Sequence, residues 1–252
     1  SHSSCMWGSI INPTNDIVRT GILNWPSQLC SFTGNGYTTA VGTWRKINPM
    51  LWKQIPSTDV RKGWWVDDSL KSPISDNIII PYKGKDYPAY FYFGYEPYVN
   101  VKFGAYQDIP DNTTNASDWI MMRAEEMILI KAEGLAMSGD EAGAKTTLES
   151  FMQTYRDPSY TYTASNMRDE IWLQRRIELW GEGFAYFDVL RLKKGLERID
   201  AEGNSAYHAA YKFNVPAEAS YMIWPLPRKE VDSNEGISEE QNNQMGTLPK
   251  PE

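Results

Sequence analysis

Met122-Arg123-Ala124-Glu125-Glu126-Met127-Ile128-Leu129-Ile130-Lys131-Ala132-Glu133-Gly134-Leu135-Ala136 decides the fold class, because its apolar residues recur at the helical period. At 100° per residue, Ala124, Ile128, Leu129, Ala132, Leu135 and Ala136 share one broad face, with Arg123, Glu126, Lys131 and Glu133 mostly opposite. Asp118 is placed to cap the start, so a helix is expected over residues 119–138, ending at Gly139. Glu125 falls inside the apolar face, where an unpaired carboxylate is costly. It is therefore expected to meet a buried arginine or to take up a proton.

Working outward, Asp140 caps a second helix over 141–155, with Ala144, Leu148, Phe151, Met152 and Tyr155 as its stripe. The Ser138-Gly139-Asp140 turn makes the pair an antiparallel hairpin, and Ala132, Ala136 and Ala144 permit close approach. This packing style is tetratricopeptide-like, although one hairpin is not a repeat. A third helix is expected over 166–180, a break at Gly181-Glu182-Gly183, and a fourth helix over 184–194. Residues 118–194 thus form a helical scaffold.

The flanks are less regular. Residues 1–117 mix glycine, proline, asparagine and aromatics, with a short helix expected over 44–52, ended near Pro56, and strand candidates at 77–80 and 90–93. Residues 195–252 are irregular, with a short strand expected at 221–224. The fold class is mostly α with irregular loops and short β strands, read as a single domain over 1–252.

Twenty-five basic and 32 acidic residues leave a net charge of −7, which argues against nucleic acid or an anionic membrane as partner. Fifteen tyrosines, ten tryptophans and eight phenylalanines point weakly to binding of sugars or flat organic ligands, which stack on aromatic rings. Cys5 and Cys30 are either one disulfide of an exported protein or two unrelated thiols. No apolar run is long enough to span a bilayer, and Ser1-His2-Ser3-Ser4-Cys5 has no export signal. The expectation is a chain that is not exported, or one that starts inside a longer protein.

Chemistry has few candidates. His2 and His208 lack metal-ligand neighbours, and no nucleophile elbow, phosphate loop or dinucleotide fingerprint occurs, so neither metal nor cofactor is expected. A glycoside hydrolase needs only two carboxylates, and Asp67 and Asp68 beside Trp64 and Trp65 could imitate such a pair. Glu125, Glu178, Glu182 and Asp188 lie among Arg123, Arg175, Arg176 and Arg191, a pattern that suits structural ion pairing. Such pairing lowers carboxylate pKa values rather than preparing an acid catalyst. No enzyme is expected.

Residues 122–136 resemble the Arg-x-Ala-Glu helix of the SusD/RagB family, through Arg123, Ala124, Glu125, Ala132 and Glu133, with Gly134 replacing an Ala. The segment 174–191 is similar to a second family motif through Arg175, Arg176, Glu178, Leu179, Glu182, Gly183, Asp188 and Arg191. It departs at Gln174, Ala185 and Val189. Thr58-Asp59-Val60-Arg61-Lys62 resembles a third motif. The stretch from Ile223 to Val231, with Asn234, resembles the closing one. The resemblance implies a SusD-like, non-catalytic lipoprotein of the Bacteroidetes outer membrane, facing outward. It would bind oligosaccharides or other nutrients for a SusC-like TonB-dependent transporter. It also implies a longer N-terminal half bearing the lipid anchor, so the chain is expected to be the C-terminal portion. In such relatives ligand contacts come from variable loops and not from these motifs. Trp25, Asn35, Tyr37, Trp64, Trp65, Asp67 and Asp68, all in loop-like sequence, are the candidate ligand contacts. A helical protein-interaction module and a carboxylate-only glycoside hydrolase are the alternatives.

Overall fold

The computed structural model describes residues 3–19, 25–34, 45–244, 246 and 249. Two compact units divide the chain, Ser1–Gly181 and Glu182–Glu252.

In the first unit, strand β1 (Cys5–Ser9) is followed by short helices α1 (Asp16–Arg19), α2 (Trp25–Leu29) and α3 (Pro49–Lys53). Hairpin β2–β3 (Ile79–Tyr82 and Lys85–Pro88) leads into α4 (Ala89–Tyr92), and β4 (Trp119–Arg123) precedes α5 (Ala124–Met137), α6 (Glu141–Tyr155) and α7 (Met167–Glu178). The fold is predominantly helical with short strands.

The α5–α6 hairpin follows from local chemistry. Gly139 takes φ +90°, and the Asp140 carboxylate accepts a hydrogen bond from the Gly143 N–H at 2.8 Å, satisfying one of the first-turn donors of α6. Asn166 caps α7 in the same way through the N–H groups of Arg168 and Asp169. Leu129, Ala132, Ala144, Leu148 and Ile171 are fully buried where the three helices meet. Each buried leucine there contributes about 1.5–3 kcal/mol.

The start of α5 differs from the expectation. Residues 119–123 are a strand, paired antiparallel with β1 through Ser9↔Trp119, Gly8↔Ile120, Trp7↔Met122 and Cys5↔Arg123. Asp118 caps nothing; its Oδ1 accepts from the Ile11 N–H at 2.9 Å. Aromatic and β-branched residues suit a strand once a partner exists, and the partner lies more than a hundred residues away, beyond the reach of periodicity. Glu126 and Glu133, expected outward, are buried, because α5 packs against both α6 and α7 and its apolar stripe is not its only covered face.

Before β4, a second core gathers Cys30, Phe32, Val66, Ile80, Phe93 and Val101, among others. A third joins Ile47, Leu51, Ile55 and Trp65 to Ile177 of α7. Residues 90–92, expected as strand, belong to α4, with Phe93 as its C-cap; the strand instead pairs 79–82 with 85–88. Cys30 is a buried thiol, pushed up to about 12 by its burial, and Cys5 is an exposed one; neither is bonded to the other.

The second unit opens with α8 (Phe184–Arg191), entered from Gly183 at φ +93°. Leu196 and Val215 form an isolated antiparallel bridge, and the Arg198 guanidinium lies over the rings of Tyr207 and Phe213, at 5.2 and 4.9 Å. Where a strand was expected over 221–224 there is a 3-10 turn, Ser220–Met222, whose Met222 carbonyl accepts from the Tyr186 hydroxyl. No neighbouring strand pairs with it among the described residues. The Asn243 side chain donates to Ser220 and Ile223 instead. Helix α9 (Arg228–Ser233) follows Pro227.

Candidate functional site

Of the seven candidate ligand contacts, Asn35 and Tyr37 lie outside the described residues. Trp25, on α2, is 39% exposed, and its indole N–H donates to the Gly181 carbonyl at 3.0 Å. Gly181 has φ +80°, and a Cβ there would stand 2.8 Å from the Phe103 ring, so the chain needs glycine to bring that carbonyl under Trp25. Trp64 and Trp65 sit at the end of the 3-10 turn Val60–Trp64.

Trp65 was expected in an exposed loop, yet it is 1% exposed and meets Trp180 edge-on at 5.6 Å. Its large apolar ring closes the third core, which removes it from direct ligand contact. Trp64 is half-buried, and its ring carries Lys102 Nζ at 4.9 Å and the Arg156 guanidinium at 5.7 Å. Lys102 is held in turn by the carbonyls of Glu178 and Trp180, at 2.8 and 3.0 Å.

The two aspartates open a turn. Asp67 Oδ1 accepts from the Ser69 and Lys71 N–H groups, both at 2.8 Å, so this carboxylate builds a turn. Asp68 is exposed. Burial first, then the charges of Asp68 and Asp67, raise the phenol pKa of Tyr98, whose ring meets Trp52 at 5.3 Å. Trp52, Tyr98, Asp67 and Asp68 thus share one neighbourhood at the edge of the third core.

The charged residues converge on Glu178, at the C-terminal end of α7, with a side chain 0% exposed. Arg156 grips it as a fork, Nε to Oε2 at 2.8 Å and Nη2 to Oε1 at 2.9 Å. Arg123 donates to Oε1 at 2.7 Å and to the Glu178 backbone carbonyl at 2.6 Å. Arg61 reaches Oε2 at 3.4 Å and pairs with Asp59 at 2.6 Å. Glu125 meets Arg123 at 3.1 Å and Arg156 at 3.3 Å. Three guanidinium groups face three carboxylates, so the buried charge balances.

Burial alone would raise the Glu178 carboxyl, but the Arg156 hydrogen bonds and the charges of Arg123, Arg156 and Arg61 hold it down at about 2. For Glu125 burial likewise works upward and is outweighed by its own backbone N–H, by Arg123 and by Ser4, so its pKa is lowered. Arg61, Asp59 and Arg156 were missed as members of this network. Arg156 follows the last turn of α6, where no periodic pattern assigns it a partner. Arg175 is buried in α7, and Arg176 lies over the Trp172 ring at 4.9 Å. Glu182, Asp188 and Arg191 fall in the second unit, where Asp188 pairs with Arg191 at 2.8 Å. Among the described residues no three metal-ligating side chains cluster, and no helix is long and apolar enough to cross a membrane.

A family model for SusD proteins matches residues 74–244, more than half of the chain. The chain belongs to the SusD family. Its fold is similar to that of a SusD-like carbohydrate-binding protein of Bacteroides vulgatus, with a TM-score of 0.63 at 19% identity over 98% of this chain and 50% of the other. A SusD superfamily protein of Bacteroides thetaiotaomicron gives 0.64 at 20% identity, covering 97% and 49%. The chain therefore spans about half the length of the SusD-family structures it resembles. No curated protein matches it. Within this SusD-family chain, Glu178, Arg123 and Glu125 act as internal bracing.

Proposed function

We propose that this chain is the binding portion of a non-catalytic protein on the outer surface of the outer membrane. It captures oligosaccharides or other nutrients and passes them to a SusC-like TonB-dependent transporter. The family match over 74–244 carries this reading. The fold likeness to a SusD-like carbohydrate-binding protein supports it, as does the commitment of the buried carboxylates to arginines rather than to a reacting atom.

Trp25 and Asp68, which keep exposed surface, are the contacts we retain from the sequence expectations, together with the half-buried Trp64 and Asp67. Glycan-array screening followed by calorimetry tests the capture step: saturable binding without release of reducing sugar is expected. Turnover of any bound glycan, or absence of binding across glycans and peptides alike, overturns the reading. Co-purification with a TonB-dependent transporter tests the delivery step.

A further inference from the structure

Hairpin β2–β3 and helix α4 carry side chains that the charge network does not use. Lys83 and Gly84 take φ of +50° and +75°, as the two-residue type I′ turn requires, so the register is tight: Ile80↔Tyr87 and Tyr82↔Lys85. Residues directly opposite, and residues two apart, share a face of the ribbon, so Ile80, Tyr82, Lys85 and Tyr87 lie on one side. Ile80 anchors that side in the core. Asp86 pairs with Pro81 and lies on the other side.

The Tyr87 ring is stacked on Phe91 of α4, with centroids 5.6 Å apart and planes 6° from parallel. Phe91 is 64% exposed. A flat apolar face is therefore presented to solvent on a rigid backing. Beside it, Lys83 Nζ sits 5.0 Å from the ring of Tyr82, itself exposed. Lys71 sits over Tyr90 at the same distance. Lys71, Lys83 and Lys85 are all exposed, and none pairs with a carboxylate among the described residues. A cation–π contact positions an ammonium without neutralising it, unlike an ion pair. The Asp111 carboxylate accepts from the Tyr92 hydroxyl at 3.0 Å and keeps its charge, one carboxylate against the three lysines. In a chain of net charge −7, this is a local cationic, aromatic ledge.

We propose that the hairpin is a subsite for an acidic pyranose unit of a glycan, in which the sugar's C–H face stacks on Phe91 and its carboxylate meets Lys83 and Lys85. This rests on the nutrient-capture reading above. Lys85 and Tyr87 are two residues apart on one strand and share its face, so Lys85 starts roughly 7 Å from the ring on which Phe91 stacks, within the span of one or two sugar rings. Hydrogen bonds from an ammonium to a carboxylate are the strong, charge-assisted kind.

The test is calorimetric titration with oligogalacturonate and with a neutral oligogalactoside of equal length, using wild type, Phe91→Ala and the double variant Lys83→Ala/Lys85→Ala. Circular dichroism checks that each variant folds. The acidic ligand is expected to bind and to weaken with added salt. Phe91→Ala is expected to cost about five- to tenfold in affinity, since stacked rings contribute on this scale. The lysine double variant is expected to lose affinity for the acidic ligand several-fold. Equal binding of the neutral ligand, no binding of the acidic one, or affinities unchanged in the variants each overturns the subsite. If other glycans still bind and the variants leave that binding unchanged, the capture reading stands and only the subsite falls. If no glycan or peptide binds at all, both fall.

Discussion

The helical hairpin α5–α6 and the aromatic hairpin β2–β3 are both short antiparallel pairs joined by a tight turn, yet they commit their side chains in opposite directions. The helical pair turns its apolar residues inward and sets its charges, through Arg123, Glu125 and Arg156, around one buried carboxylate. The β pair sets Ile80 in the core and Tyr87 against α4, and leaves Tyr82 and its lysines, with Phe91 of α4, to solvent. The first is a scaffold whose parts satisfy one another; the second keeps unspent binding capacity. Mutations that destabilise should therefore fall in the first region, and mutations that change binding in the second.

The sharpest way to break that contrast is Glu178→Gln. Three guanidinium groups would remain, Arg61 fully buried, against two carboxylates, and breaking a buried pair typically costs about 3–5 kcal/mol. Urea unfolding should show the midpoint fall with an unchanged slope. A loss below about 1 kcal/mol would mean that water or rearrangement compensates and that Glu178 is not the hub. Leu148→Ala comes next. Leu148 is fully buried between the helices, and leucine truncations in cores cost about 2–5 kcal/mol.

Acid should act on the same hub. Glu178 has a folded pKa of about 2, below the usual carboxylate range of the unfolded chain. The stabilisation is fully present above the unfolded value of about 4.3 and is lost as pH falls through the folded one. Glu125 is shifted in the same direction. Stability measured across pH 6 to 2 should decline by on the order of 3 kcal/mol, mostly below about pH 4.5. In Glu178→Gln most of this decline should disappear.

The same contrast explains what could be read without coordinates. Helices α6 and α7 were legible because Asp140 and Asn166 act on donors two or three residues away and the stripes Ala144-Leu148-Phe151 and Leu173-Ile177 obey a local period. Glu125 was legible as a charge needing a partner, since burial follows from its place in the wheel. Which arginine meets it was not, because Arg156 lies 31 residues away and is brought back by the whole hairpin. Strand β4 failed for the same reason, its partner being Cys5–Ser9. Trp65 and Phe91 show the limit most plainly. Both are aromatics in irregular sequence, one ends at 1% exposure and the other at 64%, and only non-local packing separates them.

Phe91→Ala is the smallest expected change in stability and the one that bears most directly on the division of labour. The ring is mostly exposed and loses little burial; its stack on Tyr87 is worth about 0.5–1.5 kcal/mol and is the main stabilising contact removed. Unfolding midpoints should therefore shift slightly, by far less than for Leu148→Ala. A loss above about 2 kcal/mol would show that the aromatic hairpin is itself part of the scaffold. Its exposure would then reflect an incomplete core and not a surface kept open for a ligand.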